Sequence, residues 1–115
     1  MTDLINKKII FLNSVKIAPM LIQHEEKPDR KGSFFIMGDD KPLAEMTYTM
    51  PNSKLMIIQH TEVDDVLRGK NAGRELINAA ASYAREKGFK IFPLCPFVKS
   101  VFTKNEDEYK DVWNK

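Results

Sequence analysis

The sequence has little of several features that mark specialised classes of protein. Its 115 residues contain one cysteine, Cys95, so no internal disulfide can form, and a bare thiol is typical of a reducing compartment. We therefore predict a cytoplasmic protein. The apolar stretch Ile9 to Leu12 is shorter than the roughly 7–15 residues of a signal-peptide core, and no stretch approaches transmembrane length. Neither secretion nor a membrane is expected.

Net charge is also small. The formal charge is +2 at pH 7 and the sequence pI is about 8.6, whereas proteins that bind nucleic acid or anionic membranes usually carry a clustered basic face. A nucleic-acid partner is therefore not expected, although a small anionic ligand fits this charge. Hydrophobic residues make up 43% of the chain, as in an ordinary globular protein. We predict one domain over residues 1–115, with residues 1–16 as a loosely attached extension or an edge strand.

Four strand-like runs follow this N-terminal segment. They are Met20–Glu26, Phe34–Met37, Leu43–Met50 and Leu55–Val63. Apolar and polar residues alternate in the third run, and the fourth is rich in isoleucine and methionine. The intervening segments contain proline, glycine, aspartate and asparagine, which favour turns. The pattern predicts consecutive antiparallel strands.

The hydrophobic period then changes to that of a helix. Apolar residues recur on one helical face at Leu76, Ile77, Ala80, Tyr83 and Ala84. Gly88 is placed to end this helix, Phe89–Cys95 resumes as an apolar strand, and Pro96 suits the first position of another helix. A strand, a helix and a strand form a right-handed crossover with parallel strands. The sequence thus predicts an α+β fold with a mixed sheet: antiparallel N-terminal strands, a parallel crossover and a C-terminal helix.

Between the fourth strand and the helix lies a loop of small and basic residues, Arg68-Gly69-Lys70-Asn71-Ala72-Gly73. Such a loop can point several backbone N–H groups at one oxygen-rich group, while the helix N-terminus adds partial positive charge. Arg68, Lys70 and Arg74 contribute further charge. The motifs GxxxxGK[ST] and GxGxxG are both absent, which disfavours ATP and NAD. A diphosphate ligand and an ordinary helix start with surface cations both fit this loop.

The loop and its flanks resemble the GNAT acetyltransferase superfamily, whose signature is Q/R-x-x-G-x-G/A between a strand and a helix. Arg68, Asn71 and Gly73 occupy its three fixed places, with Asn71 where the first glycine is usual. Asparagine visits the left-handed region more easily than most residues, so the loop can keep its shape. The chain is most similar to minimal single-domain members with an HTxV and a PLCPFV-like segment, here His60–Val63 and Pro93–Val98.

The resemblance implies an N-acetyltransferase that uses acetyl-CoA as donor and no metal. In the superfamily the loop amides, here Lys70 to Gly73 with Ala72 between them, hold the pyrophosphate, and Arg68 and Gly69 begin the same loop. The pantetheine arm lies between two splayed parallel strands, so the backbone from Thr61 to Val63 is expected to line it. Lys99 and Phe102 are expected at the nucleotide end; their alternatives are a solvated lysine and a core phenylalanine.

His60 and Cys95 are the candidates for chemistry. Transfer to an amine requires a group that takes its proton, and imidazole titrates near neutral pH, so His60 is the candidate base, with Glu62 as a second one. Cys95 immediately precedes Pro96, at the expected N-cap of the last helix, where the helix dipole favours a thiolate. A His60–Cys95 pair can accept the acetyl group covalently. Direct transfer, with both residues structural, is the alternative.

The acceptor amine is not fixed by the sequence. Full-size members of the superfamily place one or two helices between their first strands, over the acceptor side, where this chain is expected to have only Lys27–Ser33. An open acceptor side suits a bulky amine such as a protein lysine, or a poorly selected small amine. Two other functions compete: a non-catalytic domain that binds or senses acetyl-CoA or CoA, and, more distantly, a phosphate or nucleic-acid binding module.

Overall fold

The computed structural model describes residues 8–11 and 21–115, and these form one six-stranded sheet packed under helices. In sheet order the strands are β1 (Lys8–Phe11), β2 (Leu21–Lys27), β3 (Lys31–Met37), β4 (Pro42–Asn52), β5 (Leu55–Val63) and β6 (Lys90–Pro93). Each strand from β1 to β5 is antiparallel to the next, and β6 is parallel to β5. The predicted mixed sheet, with antiparallel N-terminal strands and a parallel crossover, is confirmed.

The helices come after β5 in the chain. A 3-10 turn covers Asp65–Leu67, and the helices are α1 (Ala72–Lys87), α2 (Pro96–Lys104) and the short α3 (Glu106–Tyr109). Gly88 ends α1 in the left-handed conformation that was predicted for it (φ 78°), and Pro96 opens α2. The separate α3 was not predicted. Among the described residues, no helix combines the length and the apolar character that crossing a membrane requires.

The core lies between α1 and one face of the sheet. Leu76, Ile77 and Ala80 on α1 are fully buried, as are Phe34 on β3 and Met46 on β4. Burial of a large aliphatic or aromatic side chain stabilises the fold by about 1.5–3 kcal/mol. The α1 face that the periodicity predicts is therefore the face that holds this helix on the sheet.

The N-terminal segment contributes the edge of the sheet. Lys8–Phe11 pairs antiparallel with β2, opposite residues 21–24, and so forms an edge strand. The remaining residues of the extension lie outside the described residues, so the single domain over 1–115 stays a prediction. Lys27–Ser33 joins β2 to β3 through a tight turn, while the connection between β1 and β2 is residues 12–20. Only a short turn within Lys27–Ser33 therefore separates the first two runs that the sequence predicts as strands, as expected.

A β-bulge in β5 changes which side chains face α1. Tyr48 of β4 pairs with Ile58, but its neighbour Thr47 pairs with His60, so Gln59 is an extra residue without a partner on β4. Beyond the bulge, Thr61 lies opposite the buried Met46. Because cross-strand partners point to the same face of a sheet, Thr61 faces α1 and His60 faces away from it.

The parallel pair β5–β6 separates at this point. Pairing extends from Leu55 opposite Lys90 to Ile58 opposite Pro93, and a last backbone bond runs from Cys95 N–H to the Ile58 carbonyl at 3.0 Å. After Ile58, β5 continues beside β4 while the chain on the other side turns into α2. The result is a gap between the C-terminal half of β5 and the start of α2, as the splayed strands of the resemblance imply.

Candidate functional site

The start of α1 leaves backbone donors free. Asn71 is its N-cap residue and has a left-handed conformation (φ 64°, ψ 27°), as the superfamily signature led us to expect. Its side chain makes no capping hydrogen bond, and the first intrahelical bond runs from Glu75 N–H to the Asn71 carbonyl at 3.0 Å. The N–H groups of residues 71–74 therefore have no partner within the described part of the chain. Such a set of donors, at the positive end of the helix dipole, fits a diphosphate.

The amides that precede this set are already used. Arg68 N–H donates to the Asp65 carbonyl at 2.9 Å, and Lys70 N–H donates to the Leu67 carbonyl at 3.0 Å. The prediction that Lys70 supplies a ligand-binding amide was therefore wrong, because this N–H closes a turn. Gly69, with φ 79°, allows that turn at a conformation that other residues rarely adopt. The free donors run from Asn71 to Arg74, one residue later than expected.

Gly73 is needed for packing as well as for access. A Cβ atom at this position would lie 2.7 Å from Cζ of Phe97 on α2, which is closer than real Cβ contacts. The Phe97 ring itself is 42% exposed, so it can move more easily than a core side chain. The absence of a side chain at Gly73 thus lets α2 come close to the start of α1.

A groove of about 340 Å³ connects the loop with the gap between β5 and α2. Its lining comprises the end of β5, the loop, the first residues of α1 and one face of α2: Val63, Leu67, Arg68, Gly69, Asn71, Ala72, Gly73, Arg74, Phe97 and Val101. Six of the predicted cofactor residues are among them, namely Val63, Arg68, Gly69, Asn71, Ala72 and Gly73. The structure therefore brings most of the predicted binding residues to one surface.

The three cations near the groove differ in how they are held. Arg68 pairs with Asp65 at 2.6 Å, and both side chains are well exposed. The Lys70 side chain is exposed and has no partner among the described residues. Arg74 donates to the Tyr109 hydroxyl and to the Glu108 carboxylate, both at 2.6 Å. The hydrogen bond with Tyr109, assisted by the charge of Glu108, raises the pKa of the Arg74 guanidinium, which therefore remains charged.

Cys95 lies at the base of the gap. It is the N-cap residue of α2, as predicted, and it is 5% exposed. Its thiol donates to the Thr61 hydroxyl at 3.5 Å, which joins the ends of β6 and β5. The N-terminus of α2 and the hydroxyl of Thr61 are therefore the polar surroundings of this sulfur.

His60 is not the partner of Cys95. Its Nε2 lies 3.0 Å from Oε2 of Glu62, and both side chains are exposed. The bulge at Gln59 turns His60 away from the face of the sheet that Thr61 shares with the core. The expected His60–Cys95 pair was therefore wrong: the structure forms a His60–Glu62 pair and a separate Cys95–Thr61 contact.

Two residues predicted at the nucleotide end lie elsewhere. Phe102 is fully buried and stacks on Tyr109 with ring centroids 4.7 Å apart, so its predicted contact with a nucleotide was wrong. Lys99 is exposed, but it lines another groove with Phe92 and Trp113. The structure does not bring Lys99 to the loop.

Among the described residues, no group of histidine, cysteine and acidic side chains is arranged to hold a metal ion.

Comparison with known proteins agrees with this geometry. Residues 33–112 match the family model described as GCN5-related N-acetyl-transferase. The chain belongs to this acetyltransferase family. A GCN5-like protein from Staphylococcus aureus, with a solved NMR structure, is 37% identical over 76% of this chain and 84% of its own, with a TM-score of 0.62. No match was found among curated proteins.

A second solved structure shares the fold of this acetyltransferase at lower identity. An aminoglycoside acetyltransferase from an uncultured soil metagenomic sample, solved in complexes with trehalose and with sisomicin, is 20% identical with a TM-score of 0.53. The alignment covers 77% of this chain and 62% of that protein. The likeness supports the arrangement of the sheet and helices and nothing finer.

Sequence reasoning missed three parts of the candidate site. Phe97 and Val101 line the groove, and their spacing of four residues on α2 is a signal that can place them on one face. The Thr61 hydroxyl beside Cys95 was missed because the sequence gives no sign of the bulge at Gln59. Tyr109 was missed because its contact with the start of α1 joins distant parts of the chain.

Proposed function

We propose that this enzyme transfers the acetyl group of acetyl-CoA to an amine. The observation that carries the proposal is the uncapped start of α1, with four free N–H groups at residues 71–74, at the mouth of the gap beside β5. Donors of this kind, next to a left-handed residue and a glycine, suit a diphosphate that approaches the backbone closely. When bound, acetyl-CoA supplies an acetyl thioester already activated for transfer to a nucleophile.

The gap between β5 and α2 suits an extended, mostly apolar chain. Beyond Ile58 the β6 side of β5 has no strand partner within the described residues, so backbone groups from Thr61 to Val63 can hydrogen-bond to an amide-containing arm. Phe97 and Val101 provide an apolar wall on the opposite side. In this proposal the diphosphate end lies at the loop and the reactive end lies near Cys95, at the base of the gap.

Cys95 acts next to the reacting carbonyl in this proposal. Cys95 is the N-cap residue of α2, so its sulfur lies at the positive end of the helix dipole. The Thr61 hydroxyl lies 3.5 Å from this sulfur and can donate a hydrogen bond to it or accept one from it. Whether the thiol takes the acetyl group itself or only orients the reaction decides between covalent and direct transfer.

His60 is the proposed proton acceptor for the amine. Nε2 of His60 lies beside the Glu62 carboxylate, which can only accept a hydrogen bond, so Nδ1 is the ring nitrogen that the proposal assigns to the amine. His60 faces away from α1, and in this proposal the acceptor amine approaches the acetyl group from that face of the sheet. The acceptor is an amine, and we propose a bulky one such as a protein lysine in a cytoplasmic setting.

Two measurements test the proposed function. Calorimetry should show binding of acetyl-CoA, and none of an oligonucleotide of the same charge; oligonucleotide binding with a steep salt dependence would contradict the cofactor assignment. Acetylation of an amine above the spontaneous rate would separate the enzyme from a domain that only binds acetyl-CoA. Binding without any acetylation of small amines or lysine peptides would favour a sensing role.

The roles of Cys95 and His60 are tested separately. Cys95→Ala and Cys95→Ser should lower turnover at least roughly tenfold while acetyl-CoA affinity is kept. An acetyl group on the intact wild-type protein, detected by mass spectrometry and absent from both variants, would show the covalent route. His60→Gln should lower turnover with little change in acetyl-CoA affinity. Full turnover in either variant would make that residue structural.

A further inference from the structure

Arg74 lines the loop groove, yet its guanidinium is fixed by the C-terminal part of the chain. It is the third residue of α1, and its Nε donates to Tyr109 while its Nη2 donates to Glu108. The guanidinium also lies 5.5 Å from the centre of the Tyr109 ring. A guanidinium carries five N–H donors, so three remain that no described residue engages. Arg74 is one of the residues that line the groove, and its side chain is 29% exposed.

Tyr109 is itself held rigidly. Its side chain is 1% exposed and stacks on Phe102, and its hydroxyl donates to Oδ1 of Asn78 at 2.5 Å. A hydroxyl has one proton, so donation to Asn78 leaves only the lone pairs for Arg74. The relay from Asn78 through Tyr109 therefore orients the acceptor that fixes Nε of Arg74. Burial raises the pKa of Tyr109, which keeps the hydroxyl protonated at neutral pH.

The other two cations near the loop lack this support. The Arg68–Asp65 pair is exposed on both sides, and exposed ion pairs hold a side chain only weakly. Lys70 has a free, exposed ammonium on a flexible stem. Arg74 alone among the three is fixed before any ligand arrives, so it loses less side-chain entropy when it binds an anion.

We propose that Asn78 and Tyr109 are positioning residues that hold Arg74 as the fixed cation for the cofactor's diphosphate. This inference rests on the proposed function, because it takes acetyl-CoA as the ligand of the loop. It makes α3 a supporting part of the cofactor site, although neither Tyr109 nor Glu108 lines the groove. Arg74 contacts the ligand, and Tyr109 acts through Arg74.

The test is a double-mutant cycle on ligand affinity. Arg74→Gln should weaken acetyl-CoA binding about tenfold or more, and Tyr109→Phe roughly three- to tenfold, as expected for hydrogen bonds to charged groups. In the Arg74→Gln background, Tyr109→Phe should have no further effect. Acetyl-pantetheine, which lacks the diphosphate, should bind all four proteins equally. In turnover, KM for acetyl-CoA should rise while kcat stays unchanged.

Arg85 provides a matched control on the same helix. It donates to the Asp111 carboxylate and to the Glu108 carbonyl, so it also ties α1 to the C-terminal segment, but it does not line the groove. Arg85→Gln should leave acetyl-CoA affinity unchanged. If Tyr109→Phe fails to fold, Asn78→Ala replaces it in the same cycle. Thermal melts of every variant show whether it folds.

Several outcomes would overturn the inference. Additive losses in the cycle, equal weakening of acetyl-pantetheine, or an equal loss in Arg85→Gln would each show a general structural role for Tyr109. Wild-type affinity in Tyr109→Phe and Asn78→Ala would refute the positioning role while the proposed function stands. If the wild-type protein binds no acetyl-CoA, the proposed function and this inference fail together.

Discussion

The two ends of α1 are built differently. At its C-terminal end, Gly88 and Phe89 both donate their N–H groups to the Ala84 carbonyl, at 2.8 and 3.0 Å, and Arg85 pairs with Asp111. At its N-terminal end, Asn71 makes no side-chain cap and the first amides have no described partner. Both ends contain a residue in the left-handed conformation, Asn71 at one and Gly88 at the other. At Gly88 this conformation lets backbone hydrogen bonds close the end of the helix. At Asn71 it leaves the first backbone N–H groups without a described partner.

Because of this difference, one end of α1 contributes mainly to the stability of the fold and the other mainly to ligand binding. A helix end whose backbone groups are satisfied contributes to the fold by itself, whereas free amides gain a partner only with a ligand or water. Changes at the closed end should therefore alter the free energy of unfolding and leave affinity unchanged. Changes at the open end should do the reverse.

The largest effect is expected at the open end, from Gly73→Val. A branched side chain there meets the Phe97 ring and also covers the amides that a diphosphate must approach, so acetyl-CoA affinity should fall well over tenfold. Calorimetry measures this loss. Because Phe97 is partly exposed and can move aside, thermal unfolding should remain cooperative. If the folded variant binds acetyl-CoA with unchanged affinity, the loop is not part of the binding site.

Gly88→Ala should have its main effect on stability. A Cβ atom at this position meets nothing within 4 Å, so the cost comes from the left-handed conformation alone, about 1–2 kcal/mol. Chemical denaturation measures the free energy of unfolding, and calorimetry should show wild-type affinity for acetyl-CoA. A large loss of affinity would mean that the two ends of α1 are not independent.

The Arg85–Asp111 pair, at the C-terminal end of α1, should make the free energy of unfolding depend modestly on pH. The hydrogen bond from Arg85 lowers the pKa of Asp111, so its contribution is present above the unfolded carboxyl pKa of about 3.9 and is lost as pH falls through the folded value. Because both side chains are half exposed, the contribution should be about 0.2–1 kcal/mol. The stability difference between wild type and Asp111→Asn should shrink in acid. A constant difference would exclude titration of this pair.

Asn71→Gly should have the smallest effect. Glycine adopts the left-handed conformation readily but adds freedom to the unfolded chain, so stability should stay within about 0.5 kcal/mol of wild type. Affinity for acetyl-CoA should be kept or slightly increased, because the backbone donors are unchanged. A large loss of affinity would assign a ligand contact to the Asn71 side chain.

Local signals in the sequence predicted much of the fold. The bounds of β5, the cap at Gly88 and the start of α2 at Pro96 each depend on neighbouring residues, and the structure confirms all three. The phase of α2 was harder, because it carries apolar residues on two sides. Phe102 faces the core and Phe97 faces the loop. Hydrophobicity alone does not distinguish these faces.

The parts of the site that the sequence did not reveal depend on contacts between distant residues. Arg74 meets Tyr109, 35 positions later, and Thr61 meets Cys95, 34 positions later. The amides without a described partner, at residues 71–74, overlap the expected set at residues 70–73 because the loop is continuous, and the shift by one residue arises from the turn that uses Lys70 N–H. Where a side chain acts through another element, only the packed structure reveals the pairing.

The extra residue at Gln59 also determines which side chains of β5 face away from α1. Strict alternation from Ile57 would assign Gln59 and Thr61 to that face, but after the bulge the residues that face away are His60 and Glu62. Deletion of Gln59 would restore strict alternation without turning either candidate reactive group, because His60 would still lie opposite Thr47 and Thr61 opposite Met46. A strand that kept Gln59 but lost the bulge would instead turn the imidazole towards α1 and the Thr61 hydroxyl away from Cys95.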